Sequence, residues 1–240
     1  MDWTAKILKV EDCIGENGVC DRVITLSTPQ DFSFEPGQYV MIGHASVPST
    51  KILGQLRWGS MSIASSNRQK GSIELVISVG SPEGITYFVA NKRKVGDELL
   101  LKGPFGSFGI KEEYDELVFV GSGTGIAPLM SIIRSKLESG EKKPMILFFG
   151  FKTMKQFLYQ AELEQLQKKF SNFKYCYITS REVSPQGKQG HVQELFRDFS
   201  FNKAKKLQFY LCGLPVAITD VRHKLKEMGF ADSRVHFEQW

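Results

Sequence analysis

In the stretch VFVGSGTGIAP an apolar run delivers Gly121, Gly123 and Gly125 to the start of a helix. Glycines there let the backbone come close to a phosphate, and a helix N-terminus offers N–H groups to it. Pro128 falls in the first turn, where its missing N–H costs nothing. The spacing is G-x-G-x-G, not the dinucleotide fingerprint G-x-G-x-x-G, and a tight strand-to-helix turn needs glycine for steric reasons alone. Two later segments add chemistry. FFGFKT carries Lys152 near the place where a fingerprint domain has an acid for the ribose hydroxyls, and TSRE carries Ser180 and Arg181, followed by Lys188 and His191. Cations and hydroxyls at the carboxyl edge of an open sheet suit a ribose 2′-phosphate, which arginine grips in bidentate fashion. A solvated loop is the alternative for any single lysine.

These groups need elements to hold them, and the chain is written in two patterns. Up to about residue 110, short alternating runs (AKILKV, RVITLS, GQYVMI, SMSIAS, SIELVISV, DELLLK) are separated by turn signals such as Pro36-Gly37 and Lys70-Gly71. Closely spaced strands of this kind predict an antiparallel barrel or sandwich. ITYFVANK is the one helical candidate. From about residue 115, apolar strands (ELVFV, MILFFG, YCYITS, QFYLCG, RVHFEQ) alternate with amphipathic helices. One helix places Leu129, Ile132, Ile133 and Leu137 on a face, and the last does so with Ile218, Val221, Leu225 and Met228. A long helix through QFLYQAELEQLQKKF and a short one near HVQELF lie between them. This is the grammar of a parallel sheet covered on both faces. The expected organisation is two domains, 1–112 and 113–240, joined through GSFGIKEEYDE.

Composition narrows the classes. The 240 residues have a mild net charge of +5 and no Lys/Arg block long enough to form a stripe, which argues against a dedicated nucleic-acid binder. The charge is compatible with docking an acidic partner and equally with ordinary solubility. Cys13, Cys20, Cys176 and Cys212 match neither a zinc pair nor an iron–sulfur run, so no metal site is expected. The first residues show no leader pattern and no window approaches a membrane span, so a cytoplasmic protein with reduced thiols is expected.

Four ordered segments, SMSIAS, GPFGSF, GSGTGIAP and YLCGLP, supported by PGQYV, KVGDEL and HVQEL, make the chain resemble the ferredoxin–NADP reductase-type flavoproteins. The resemblance runs over nearly the whole length. It implies an N-terminal antiparallel β-barrel that binds flavin, followed by an α/β parallel-sheet domain that binds NAD(P). By that likeness Ser62 lies close to the flavin's reactive nitrogen, within a lining formed by Ser62, Ile63, Ala64 and Ser65. Gly84, Ile85 and Thr86 open a helix that receives flavin phosphate. Gly121, Gly123, Thr124 and Gly125 receive the nicotinamide nucleotide, with Thr124 near the nicotinamide. Cys212, followed by Gly213, borders the hydride-transfer position, although alone it reads as a small buried hydrophobe. A Ser-Arg pair such as Ser180-Arg181 contacts the 2′-phosphate in relatives that prefer NADPH, and Lys152 and Lys188 are expected beside it. The family often ends in an aromatic, so Trp240 is a candidate to stack on a ring, with Glu238 a further candidate nearby. A frayed tail is the ordinary alternative for a terminus.

The chain departs from the family at RWGSMSIAS, where Gly59 and Met61 stand in place of an arginine and a tyrosine. Arg57 shares a strand face with Gly59 and is expected to supply the missing charge. Met61 can offer its thioether to an aromatic face. With those substitutes the implied cofactors are FAD, favoured over FMN because Trp240 and the helix at Thr86 leave room for a dinucleotide, and NADP(H) in preference to NAD(H). The implied activity is an NAD(P)H oxidoreductase that passes electrons to a one-electron acceptor, a small acidic protein such as ferredoxin or flavodoxin. Two other readings stand beside it. One is a flavin or ferric reductase or an oxygenase reductase component. The other is a non-catalytic nucleotide-binding partner that has lost its flavin.

Overall fold

A computed structural model describes residues 1–15, 18–49 and 54–239. The chain forms two compact units, residues 1–109 with 130–135 and residues 110–129 with 136–240. No helix among the described residues is long and apolar enough to cross a membrane.

The first unit is an antiparallel sheet of β1 (Asp2–Gly15), β2 (Gly18–Ser27), β3 (Tyr39–Pro48), β4 (Leu56–Ser62), β5 (Ser72–Ser78) and β6 (Glu98–Phe105), in the order β4-β3-β6-β1-β2-β5. Just past β4, Ile63 pairs with Leu75 of β5, which closes the sheet into a barrel. Period-two alternation fills it. Ala5 and Ile7, Ile24 and Leu26, Val40 and Ile42, Ile73 with Leu75 and Ile77, and Leu99 with Leu101 are all buried in one core. Helix α1 (Ile85–Lys92), the ITYFVANK segment, lays Ile85 and Val89 on that core. Arg22 fixes its far end by donating to the carbonyls of Val89 at 3.3 Å and Arg93 at 3.0 Å while pairing with Asp12.

The second unit is a parallel sheet of β7 (Glu116–Ser122), β8 (Met145–Phe151), β9 (Phe173–Thr179), β10 (Leu207–Gly213) and β11 (Val235–Gln239), in the order β11-β10-β7-β8-β9. Every residue of β8 and β10 is buried, as both faces of a covered parallel sheet require. Helix α2 (Ile126–Glu138) buries Leu129, Ile132, Ile133 and Leu137, and α4 (Pro215–Glu227) buries Ile218, Val221 and Leu225. Two helical expectations change. The QFLYQAELEQLQKKF segment becomes a 3-10 turn at Met154–Gln156 and a shorter α3 (Gln160–Lys169). Phe157 is drawn off to stack on Phe151 at 4.5 Å, and Tyr159 takes a left-handed conformation (φ 61) that interrupts any longer helix. The HVQELF segment winds as a 3-10 helix, Val192–Asp198.

Candidate functional site

In the first unit Arg57, Gly59 and Met61 alternate along β4, with Gly59 opposite Ile42 and Met61 opposite Val40 of β3. The position of the family's arginine is filled from elsewhere. A Cβ on Gly59 would lie 2.7 Å from Ile85 Cγ2 and 3.3 Å from Met61 Cε. The bare glycine admits the first side chain of α1 against the strand, and Met61 packs on the barrel core beside it. Arg57 Nη1 donates to the Glu83 carbonyl at 2.6 Å, one residue before Gly84, the N-cap of α1. That end of α1 has no side-chain cap and no acid in its first turn. A helix start with its positive end open and a guanidinium beside it fits a phosphate group.

Ser62 is buried opposite Tyr39, and the next residues sew the barrel shut. Ile63 N–H donates to the Gln38 carbonyl at 3.0 Å and Ala64 N–H to the Glu74 carbonyl at 2.7 Å, while Ser65 Oγ accepts from Glu74 N–H at 3.1 Å. Arg134, in the same unit, donates to the Ala64 carbonyl at 2.7 Å and the Glu74 carboxylate at 2.8 Å. Thr86 lies over Gly80, whose Cβ would sit 2.6 Å from Thr86 Oγ1. Gly80 is a close approach that no pattern in the sequence marked.

In the second unit the chain reverses its winding between β7 and β10, which are neighbours in the sheet although other elements separate them in the chain. Ligands of open α/β sheets sit at such a switch point, outside the carboxyl ends of the strands. Here that edge is made by Gly121 of β7 and Cys212 of β10, directly paired. The 3-10 turn Gly123–Gly125 leads into α2 with no side-chain cap and no acid in its first turn. A Cβ on Gly125 would fall 2.1 Å from the Cys212 carbonyl oxygen, so only glycine lets the loop run against β10. Gly123 (φ 56) has nothing within 4 Å of where its side chain would be. The loop is tight against the sheet on one side and open on the other, a cradle that fits a phosphate-bearing nucleotide. Thr124 lies half-exposed within it.

Cys212 is wholly buried, and its thiol is pushed well above its usual range by burial and by the neighbouring Glu238. Burial likewise raises the Glu238 carboxyl. Gly213 meets Ser122 closely across the same edge. Trp240 lies outside the described residues.

At the end of the β8–β9 ladder, Ser180 N–H donates to the Phe151 carbonyl and Arg181 N–H to the Lys152 carbonyl, both at 2.9 Å. Arg181 is therefore tied through its backbone to Lys152, and both residues are exposed. Lys188 pairs with Asp198, and His191 caps the following 3-10 helix. Among the described residues no group of His, Cys, Asp and Glu could hold a metal ion.

Two family models match this chain, an oxidoreductase FAD-binding domain over residues 13–110 and an oxidoreductase NAD-binding domain over residues 119–223. The chain belongs to the ferredoxin–NADP reductase-type flavoproteins. Similar family members include the phenol hydroxylase P5 protein of Acinetobacter pittii, 28% identical over all of this chain and 65% of its own length. The reductase component of propane 2-monooxygenase from Rhodococcus jostii is 27% identical over 88% of this chain and 57% of its own. The chain thus spans less than two thirds of either curated relative. Two solved structures share the reductase fold. The FAD/NAD-binding domain of Vibrio cholerae nitric oxide dioxygenase superposes with a TM-score of 0.83 at 19% identity, covering 99% of this chain and 98% of its own. A Neisseria gonorrhoeae ferredoxin NADP+ reductase with bound FAD and NADP gives 0.81 at 20% identity, over 99% and 98%.

Proposed function

We propose that this chain is a flavin-dependent NAD(P)H oxidoreductase that takes hydride from NADPH and delivers single electrons to a protein acceptor. Residues 1–112 would serve as the flavin domain and 113–240 as the nucleotide domain. The observation that carries the reading is the pairing of the glycine loop with Cys212 at the switch point of the second sheet, in a chain whose other unit is the family's FAD-binding barrel. A bound flavin supplies the conversion from two-electron to one-electron transfer. The chain's own residues bind and orient. The start of α1, with Arg57, would hold flavin phosphate; Ser62 would face the flavin's reacting edge; Thr124, Cys212 and Gly213 would set the nicotinamide, with Glu238 beside them. The raised pKa of Cys212 keeps it a neutral thiol, which suits packing against a ring and not nucleophilic attack. Lys152, Ser180 and Arg181 would grip the 2′-phosphate and favour NADPH.

The acceptor we propose is a small acidic electron-transfer protein, ferredoxin or flavodoxin. A second reading is supported by the relatives' names, which include an oxygenase reductase component and an anthranilate 1,2-dioxygenase electron transfer component. In it the acceptor is an oxygenase partner. The deciding experiment is the visible spectrum of the purified protein under nitrogen. A yellow chromophore that bleaches on adding NADPH is expected, faster than with equal NADH. A colourless protein that takes up no added FAD would leave nucleotide binding without redox chemistry.

A further inference from the structure

The β8–β9 ladder does not stop where the strands do. Its last strand pair is Phe151 with Thr179. Two further backbone bonds follow, from Ser180 to the Phe151 carbonyl and from Arg181 to the Lys152 carbonyl. The next rung is made by a side chain. Glu182 Oε1 accepts the Met154 N–H at 2.6 Å. Met154 begins the 3-10 turn Met154–Gln156, whose own N-cap, Thr153, makes no side-chain capping bond to the turn's backbone and turns its hydroxyl to Gln156 Oε1 at 3.5 Å. Glu182 is itself pinned, because Thr179 Oγ1 donates to its carbonyl at 2.7 Å. The carboxylate therefore completes a set of successive rungs that hold the turn after β8 to the loop after β9.

We infer that Glu182 is a positioning residue for nucleotide selectivity. By bonding Met154 N–H it holds together the two backbone segments that carry the exposed Lys152 and Arg181, so that both cations serve one ribose 2′-phosphate. The inference rests on the NADPH reading above and adds a residue that does not touch the nucleotide. Without the rung, the two backbone bonds at Ser180 and Arg181 remain, but the turn just beyond Lys152 loses its tie to the loop that carries Arg181. The cost then falls on the 2′-phosphate and not on the rest of the nucleotide, which the glycine loop holds.

The test uses calorimetry on the purified full chain with adenosine 2′,5′-bisphosphate and with 5′-AMP. Glu182→Ala should weaken the bisphosphate by about tenfold, the scale of one charge-assisted hydrogen bond, and leave 5′-AMP within about twofold. Glu182→Gln keeps an acceptor oxygen and should restore most of the loss. Met154→Pro removes the same bond from the donor side. Proline is tolerated at the first position of a helical turn, and the extended Thr153 before it (φ −139, ψ 159) suits it. It should reproduce the effect of Glu182→Ala. Unchanged bisphosphate binding in Glu182→Ala, or equal losses for both ligands, overturns the inference. If Arg181→Ala abolishes discrimination while Glu182→Ala does not, the inference alone fails. If the parent binds both ligands equally, the NADPH reading fails and takes the inference with it.

Discussion

Cys212 and Glu238 are paired residues on the adjacent parallel strands β10 and β11, so a wholly buried thiol lies beside a half-buried carboxyl. Each is pushed toward its protonated form, chiefly by burial. Because the folded state holds the Glu238 proton more tightly than the unfolded chain does, stability falls as pH rises from the ordinary carboxylate range through the raised folded value. Glu238→Gln removes this dependence. Urea midpoints of parent and variant should diverge as pH rises above the ordinary carboxylate range, with the variant gaining on the parent at the higher pH. Parallel profiles would refute the assignment.

Cys212→Ala is expected to slow flavin reduction in stopped flow while leaving nucleotide binding largely intact. The role proposed for its buried, raised-pKa thiol is packing and orienting. A reduction rate equal to the parent's would return the residue to the core.

Gly125→Ala places a Cβ 2.1 Å from the Cys212 carbonyl, a backbone atom with nowhere to go. The loop must lift, costing about 1–3 kcal/mol in denaturant unfolding, and nucleotide affinity should drop with it. Gly123→Ala meets open space but a left-handed backbone, so it should cost less, on the order of 1 kcal/mol.

Arg57→Ala should weaken FAD binding by about tenfold to a hundredfold, the range of a charged hydrogen bond, read by fluorescence titration of the apoprotein. Its present bond to the Glu83 carbonyl places the guanidinium at the start of α1. Affinity equal to the parent's would end the idea that Arg57 substitutes for the family arginine.

Arg181→Ala should raise the KM for NADPH by about tenfold or more while leaving NADH nearly untouched, since only NADPH carries the phosphate it would bind. Equal effects on both would remove the 2′-phosphate assignment.

Local signals were legible in the sequence. The alternation of Ile73, Leu75 and Ile77 and the helical spacing of Leu129, Ile132, Ile133 and Leu137 each report a face, and a face is set by near neighbours along the chain. ITYFVANK appears as α1 without change. Distant pairings were not legible. Nothing near Gly59 announces that Ile85 will occupy its space, and nothing near Glu182 announces a bond to Met154 across two loops. The interruption at Tyr159 escaped for a related reason. The periodicity of QAELEQLQKK extends upstream on paper, but the pull of Phe151 on Phe157 belongs to the folded core.

The interlocking of Gly59 with Ile85 restricts how this chain can change over generations. An arginine placed at position 59 forces Ile85 or the strand to shift, because Ile85 Cγ2 stands 2.7 Å from where its first side-chain carbon would go. Losing the branched side chain at position 85 first would make that room, at the cost of loosening α1 on the barrel. The two sites therefore have an order of substitution built into them. Among homologues, bulk at one is expected to accompany its absence at the other.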